Sequence, residues 1–502
     1  MQHGRKQKFL DYIKLAAFLG IVLIGTSSCA TTRDDSGKRI FPEKQIVPAQ
    51  ALTNYEKQML SELADSQGDM HNLLKTLVQI ESVNPKLHSF SGRSEIFYYA
   101  DAYLSDRGME TKLIPVEGTD GTLYNLIAVL EGRGPGNTLL FCGHLDTVPY
   151  DSRFWDKETP PLGGVQKDNR VYGRGALDMK GGVAVMMSVM AELADRGAPF
   201  SGKLMLLLTP DEETGGGYGS KIISELYPDI LHAGLTLIAE PTQSPPLSSP
   251  AIIMGEKSPV WLRLTFIGES GHSSAPIPGS GGLDKAVAFI SGFDQFSFPD
   301  GEGMSSLNFA GQMLKRFTLW DAVGASRNNV HPSSILTEST VSFTGFQAGG
   351  IIINQVPAAA EVTADFRILP GITPGKLLES LEVYAESLGY QMMVQTDENA
   401  DISGADIFAE VLLAAEGTVE SIDTPEAKLF SEAFEAVYKT APVHLVSPGF
   451  TDAGNLRSSG LRNVFVTGPA GAHPHGAHEY VELDSLNTLQ QLYFLTALRY
   501  LQ

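Results

Sequence analysis

Thr138-Leu-Leu-Phe-Cys-Gly-His144-Leu-Asp146 is an apolar run closed by an imidazole and a carboxylate two residues apart. A short apolar run without helical spacing reads as a buried strand, and polar side chains two apart at its end project to one face. Similar runs lie at 123–130, 203–209 and 235–239, and a helical stretch at 181–194 intervenes. Strands alternating with helices predict an α/β fold, with a central mixed sheet flanked by helices and ligands held at the strand ends. Upstream, Leu60, Leu63, Leu73, Leu74, Leu77 and Ile80 are spaced mainly by threes and fours, so the pattern is helical from Thr53.

A second pattern begins at Glu256. Strand 260–267, helix 283–290, strands 335–346 and 359–369, helix 374–388 and an extended 391–395 give the order β, α, β, β, α, β. That order predicts a ferredoxin-like α+β domain over 256–400. It is inserted, because 426–438, 463–466 and 483–501 resume the first pattern. The catalytic domain is therefore expected in two parts, 53–255 and 401–502. The stretch 291–334, rich in Phe, Gly and Ser, is long for a connection and suggests no role.

The chemistry-bearing residues sit at the ends of these runs. After His144 and Asp146 comes Tyr172-Gly-Arg-Gly-Ala-Leu-Asp178, just before a helix; then Thr209-Pro-Asp-Glu212-Glu213-Thr214, Glu240, and His473-Pro-His475-Gly-Ala-His478-Glu479. Singly, each has an ordinary reading: a solvated strand end, a helix N-cap at Asp178, two loop glutamates, a strand-end charge before Pro241. Together they describe a two-metal hydrolase site. One carboxylate can bridge two cations through its two oxygens, which suits Asp178, and of two adjacent glutamates one can ligate while the other stays free as a base. A metal-bound imidazole usually gives its second nitrogen to a carboxylate, and Asp146 is placed to take part. Spacing does not settle which imidazole of 473–478 ligates.

The 502 residues carry a formal charge of −21 and are 43% hydrophobic, ordinary for a globular enzyme of two or more domains. Lys and Arg are nowhere concentrated, which argues against a nucleic-acid partner. At the start, Arg5, Lys6, Lys8 and Lys14 precede the apolar run 15–24. About ten apolar residues fall short of the roughly 20 that span a bilayer, so 1–28 reads as a signal peptide. Cys29, after Gly25, Thr26, Ser27 and Ser28, resembles a bacterial lipoprotein processing site, at which it would carry a membrane anchor; a soluble secreted protein is the alternative. Either way the chain is expected to be exported. Residues 29–52, with Pro42 and Pro48, read as a tether. Only Cys142 remains, a buried small hydrophobe with no disulfide to form.

The joint set resembles the zinc metallopeptidase family of aminoacylase, carboxypeptidase S, glutamate carboxypeptidase and succinyl-diaminopimelate desuccinylase, from about Thr53 to the end. The motifs are Gly-His144-Leu-Asp146-Thr-Val-Pro, Gly-Arg-Gly-Ala-Leu-Asp178-Met-Lys-Gly-Gly, Asp-Glu212-Glu213-Thr-Gly, Ala-Glu240-Pro-Thr and His475-Gly-Ala-His-Glu479. The resemblance implies two zinc ions, with cobalt or manganese as substitutes. His144, Asp178 and Glu240 would hold one, and Asp178, Glu213 and His475 the other, with Glu212 as general base. It selects His475 over His478 because the family's last ligand stands four residues before a glutamate, and it implies a cis peptide after Asp178. Gly271-His272-Ser-Ser-Ala-Pro resembles the segment whose histidine reaches the scissile carbonyl, often from the partner in a homodimer, which makes the inserted domain a lid and dimerisation domain. Asn354-Gln-Val-Pro and Asp365-Phe-Arg367 resemble segments that grip the substrate, with Arg367 suited to a free carboxylate by its planar fork. Phrasing from Gly349 to Gly371 is nearest the carboxypeptidase S branch. The expected reaction is amide hydrolysis in a small peptide or N-acyl amino acid. A peptidase fold kept only for binding is the alternative, against which the complete ligand and base set argues.

Overall fold

The computed structural model describes residues 52–84, 87, 94–118, 121–243, 250–300, 338–349, 352–395 and 404–502. The signal segment, Cys29, the tether to residue 51 and residues 301–334 of the unassigned stretch lie outside the described residues.

The larger sheet has nine strands and is mixed. Its order is Glu110–Gly118, Gly121–Glu131, Lys203–Thr209, Thr138–His144, Leu235–Ile238, Val464–Val466, Ala251–Glu256 and Thr418–Val419, with Val443–Ser447 also paired to Ala251–Glu256. Thr138–His144 runs parallel to both Lys203–Thr209 and Leu235–Ile238. These three strands are buried almost throughout, which is why they read as unbroken apolar runs rather than alternating ones. Cys142 lies among them, fully buried and unpaired.

Helices Gln67–Gln79, Lys180–Asp195, Leu483–Tyr500 and Pro425–Tyr438 pack side by side in that order. Lys180–Asp195 is buried along nearly its whole length, in keeping with its Val, Met and Ala content. The helical pattern from Thr53 resolves into Asn54–Leu63 and Gln67–Gln79. Thr53 and Glu56 form a capping box: Thr53 Oγ1 accepts from the Glu56 amide at 3.1 Å, and Glu56 accepts from the Thr53 amide at 2.7 Å. The same Glu56 accepts from Arg499 at 2.7 Å, tying the first helix to the last.

The smaller sheet runs Thr340–Ala348, Ala359–Ile368, Ser258–Ile267, Ile407–Ala414, Met392–Val394. Val260, Leu262, Leu264 and Phe266 alternate inward onto a core shared with helices Gly282–Ser291 and Pro374–Ser387, while Trp261 and Arg263 face outward. This is the ferredoxin-like arrangement, with one correction. The fourth strand, expected at 391–395, is Ile407–Ala414, antiparallel beside Ser258–Ile267; Met392–Val394 is an added edge strand. The small sheet therefore continues past residue 400, where the insertion was expected to end. A bulge between Val411 and Leu413 breaks the alternation that would have marked the strand. The start of the unassigned stretch also gains a role. Phe293 stacks on Phe296 at 4.7 Å and meets Tyr384 at 5.3 Å, and with Phe298 against Phe366 these rings seal the core.

Candidate active site

Because Thr138–His144, Lys203–Thr209 and Leu235–Ile238 run in one direction, their C-terminal ends converge, and His144, the Glu212–Thr214 turn and Glu240 meet there. Asp178 arrives just before the buried helix Lys180–Asp195, across a cis Asp178–Met179 peptide. A glycine is needed on each side of Glu240: a methyl group on Gly182 would fall on the Ala239 carbonyl, and one on Gly468 would fall on that of Glu240.

Asp178 lies between two imidazoles. Its Oδ1 is 3.2 Å from His144 Nε2, and its Oδ2 is 3.3 Å from His475 Nε2. Glu240 stands 3.2 Å from the same His144 nitrogen and Glu213 stands 3.0 Å from that of His475. Two donor groups thus share one carboxylate. Glu212 stands farther back, 3.8 Å from His144 Nε2. The donor atoms of His144, Asp178 and Glu213 all fall within 4.8 Å of one another, as do those of His144, Glu212 and Glu240. The second grouping admits Glu212 as a ligand by distance alone; its longer separation from His144 favours the base.

The electrostatics of the site favour bound cations. Burial pushes Glu212 well above the usual carboxylate range, and burial with the charge of Asp178 pushes Glu240 up to about 8. Burial would lower His144, but the charge of Glu240 and hydrogen bonds to Asp146, Asp178 and Glu240 outweigh it and raise it well above 6.5. Hydrogen bonds to Asp178 and Glu213 raise His475 to about 10. Asp178 is held low by bonds from both imidazoles, against the effect of its burial. Four carboxylates and two imidazoles packed this closely fit divalent cations, and Glu213 Oε1, buried without a hydrogen-bond partner, is a lone pair aimed at none of the described polar groups. A mixed set of imidazole nitrogen and carboxylate oxygen is the donor chemistry of zinc-type ions.

Asp146 meets His144 through both its main chain and its carboxylate, and the carboxylate has a second job. His144 Nδ1 donates to the main-chain carbonyl of Asp146 at 2.9 Å, and the carboxylate is farther away at 3.4 Å. The carbonyl can only accept, so Nδ1 carries the proton and Nε2 is free to ligate. The Asp146 carboxylate also accepts from the Glu212 amide at 3.1 Å, the Glu213 amide at 3.3 Å and Asn84 Nδ2 at 2.7 Å. It holds the turn that carries Glu212 and Glu213.

Glu479, quoted only as the end of a motif, does the equivalent for Asp178. Fully buried, it accepts from the amides of Gly175, Leu177 and Asp178 at 3.1, 2.9 and 3.1 Å, and from Arg174 at 2.5 Å. Arg174 also donates to the carbonyls of His475 at 3.0 Å and Gly476 at 3.1 Å, so one ion pair fixes the loops of both His475 and Asp178. Arg174 lies inside a quoted motif without a role of its own, and Asn84, about sixty residues before His144, carries no sequence signal.

Of the three clustered imidazoles, His475 enters the site. His478 lies by Trp155, at a ring separation of 5.8 Å, and His473 lies by Tyr480 at 6.2 Å. Above the ligands is a cavity of about 470 Å³ that Arg367 also lines. Arg367 is paired to Asp365 through Nε at 2.9 Å and Nη2 at 3.1 Å. His272 and Asn354 are not among the described residues that line this cavity. They sit together on the exposed ribbon of Gly271–His272 and Gln355–Val356, with His272 Nε2 3.3 Å from Asn354 Nδ2.

Residues 140–499, well over half of the chain, match the sequence family described as peptidase family M20/M25/M40. An acetylornithine deacetylase of Photorhabdus laumondii is 32% identical over 287 residues, which are 56% of this chain and 63% of that protein, a little under two thirds of its length. Succinyl-diaminopimelate desuccinylase 2 of a Ruegeria species is 24% identical over 427 residues, covering 85% of this chain and 93% of the relative. The crystal structure of human carnosine dipeptidase 1 superposes with a TM-score of 0.68 at 16% identity, covering 90% of this chain and 99% of that one. The matched span holds His144, Asp178, Glu212, Glu213, Glu240 and His475, and the chain belongs to peptidase family M20/M25/M40.

Proposed function

We propose that the chain is a dinuclear zinc hydrolase that cleaves the amide bond of a small peptide or N-acyl amino acid bearing a free carboxylate. The observation that carries this reading is Asp178 shared between His144 and His475, with Glu212 standing beside the donors rather than among them. Relatives named as a deacetylase and a desuccinylase support amide chemistry on an acyl amino acid.

His144, Asp178 and Glu240 would hold one ion, and His475, Asp178 and Glu213 the other. When bound, such ions polarise a carbonyl and acidify water. Glu212 takes the proton of the attacking water and gives it to the amine as the amine leaves. Asp146 fixes the backbone of Glu212, so the base does not drift from the donors. Arg367 binds the substrate carboxylate. His272 and Asn354, exposed and away from this chain's own cavity, act on substrate bound by a second copy, which makes the working unit a homodimer. Residues 1–28 direct export and Cys29 anchors the chain to the membrane, to be checked by the mass of the mature N-terminus.

The test is metal analysis of the purified protein with a panel of dipeptides and N-acyl amino acids, assayed with added zinc, manganese or cobalt. Two ions per chain and metal-dependent amine release are expected. Full turnover after exhaustive chelation, or none on any amide with two ions bound, refutes the reading.

A further inference from the structure

The wall of the cavity facing the ligand cluster is the outer face of the lid sheet, and it is apolar beside Arg367. Trp261 and Leu413 are directly opposed across neighbouring strands and both line the cavity. Trp261 is 36% exposed on the sheet face that overlies the acidic cluster. Arg367 pairs with Pro259, two residues from Trp261, which makes it the diagonal neighbour of the indole at roughly 7–8 Å by sheet geometry. Leu87, Val148 and Phe450 close the cavity from the catalytic side. The Phe450 ring lies against Gly454, where a methyl group would fall on the ring, so it is seated by the helix Asp452–Ser458.

The α-carboxylate and the side chain of an amino acid branch from one carbon. A carboxylate on Arg367 therefore delivers the side chain of the same residue to the neighbouring Trp261 and Leu413. Among the described residues, that ground offers no partner to a charged side chain. Asp365, the acid nearest Trp261 in the sheet, is bonded twice to Arg367, and the remaining acids of the cavity belong to the metal-ligand cluster and its base. A charge placed there would be desolvated without compensation. The cavity volume, about 470 Å³, leaves room for a large side chain and falls in the range of roughly 300–1,000 Å³ usual for small-molecule sites.

We propose that Trp261, Leu413 and Phe450 form a side-chain subsite that selects a bulky apolar residue, such as phenylalanine, leucine or methionine, as the carboxylate-bearing residue on the amine side of the scissile bond. This rests on the reading of the site as an amide hydrolase with Arg367 on the carboxylate.

The experiment compares kcat/KM for N-acetylphenylalanine, N-acetylleucine, N-acetyllysine, N-acetylglutamate and N-acetylglycine in the metal-loaded protein and in Trp261→Ala and Leu413→Ala. The apolar substrates are expected to exceed the charged ones and the glycine compound by about tenfold or more, the size of a filled apolar pocket. In Trp261→Ala the ratio of phenylalanine over glycine should collapse by about tenfold, whereas a merely structural role would lower both substrates together and leave the ratio unchanged. A flat profile, a preference for a charged side chain, or an unchanged ratio overturns the subsite. Calorimetric binding of N-acetylphenylalanine and N-acetylglycine to Glu212→Ala separates the two readings. Selective binding without turnover of any amide by the wild type would refute the proposed chemistry and leave the subsite standing; equal binding would refute the subsite alone.

Discussion

Replacing Asp146 by asparagine tests whether this carboxylate serves the imidazole or the turn. The substituted amide keeps one acceptor oxygen, and the structure dictates where it goes. The Oδ2 position accepts two bonds, from Asn84 at 2.7 Å and Glu213 at 3.3 Å, whereas Oδ1 accepts one, from the Glu212 amide at 3.1 Å. The oxygen should therefore occupy the Oδ2 position and turn the NH₂ group toward the Glu212 N–H, donor against donor. One buried amide is left unsatisfied, a cost of about 1–3 kcal/mol, and it is the amide of the base itself. The bond from His144 Nδ1 to the Asp146 carbonyl is main-chain and survives. Asp146→Asn should thus lower the unfolding free energy by about 2 kcal/mol and cut kcat at saturating metal by about a hundredfold, the usual scale of an ångström of misplacement. Metal affinity, measured by competition with a chelating dye, should change less than about tenfold, since loss of a carboxylate that orients a ligating histidine typically costs about 10–100-fold. An affinity loss in that larger range with kcat nearly intact would refute the assignment of the carboxylate to the turn.

Glu479→Gln keeps the shape of the side chain but leaves the buried Arg174 guanidinium without its counter-charge; the expected loss is about 3–5 kcal/mol in urea unfolding, with weaker metal retention, and a loss under about 1 kcal/mol would contradict the pairing. Chains carrying Glu212→Ala and chains carrying His272→Ala should each be inactive alone and regain activity when mixed and allowed to exchange; a mixture that stays inactive argues that His272 does not act across copies. His444, half-buried, lies below its ordinary value of 6.5 because of that loss of solvation. As pH falls through 6.5 the unfolded chain takes up a proton that the folded chain refuses, so stability is full above that value and declines below it. Urea midpoints at neutral and mildly acidic pH should fall less in His444→Gln than in the wild type, and an equal fall would remove His444 from the account.

The residues that converge on Asp178 are legible because their chemistry is confined to few residue types and most of their positions to strand ends. His144, Glu212, Glu213 and Glu240 follow apolar runs whose burial on both faces makes them conspicuous in sequence. The last lid strand, Ile407–Ala414, was not legible, because it is half-exposed, bulged and separated from its partner Ser258–Ile267 by more than a hundred residues. Asp146 is legible as a neighbour of His144, at 3.4 Å in the structure, but its hold on the turn is not, since spacing shows that two side chains share a face and cannot show which backbone amides lie behind them. Glu479 and Arg174 were quoted as parts of motifs without a role for the same reason: what they hold is main chain, and main chain leaves no mark in sequence.

That common target explains how an irregular site is kept rigid. Asp178 lies in a turn, Glu212 and Glu213 in a single 3₁₀ turn, and His475 at a positive φ of 60°, so none gains its position from a helix or sheet ladder. Loops of this kind need partners for their amides, and here two buried carboxylates supply them. Asp146 gathers the amides of 212 and 213; Glu479 gathers those of 175, 177 and 178, and through Arg174 holds the carbonyls of 475 and 476. Each anion adds negative charge beside donors that already repel one another. The arrangement is tolerable if cations occupy the centre, and under that condition the same charge that strains the metal-free site deepens the well for the ions while the loops are already in place to receive them.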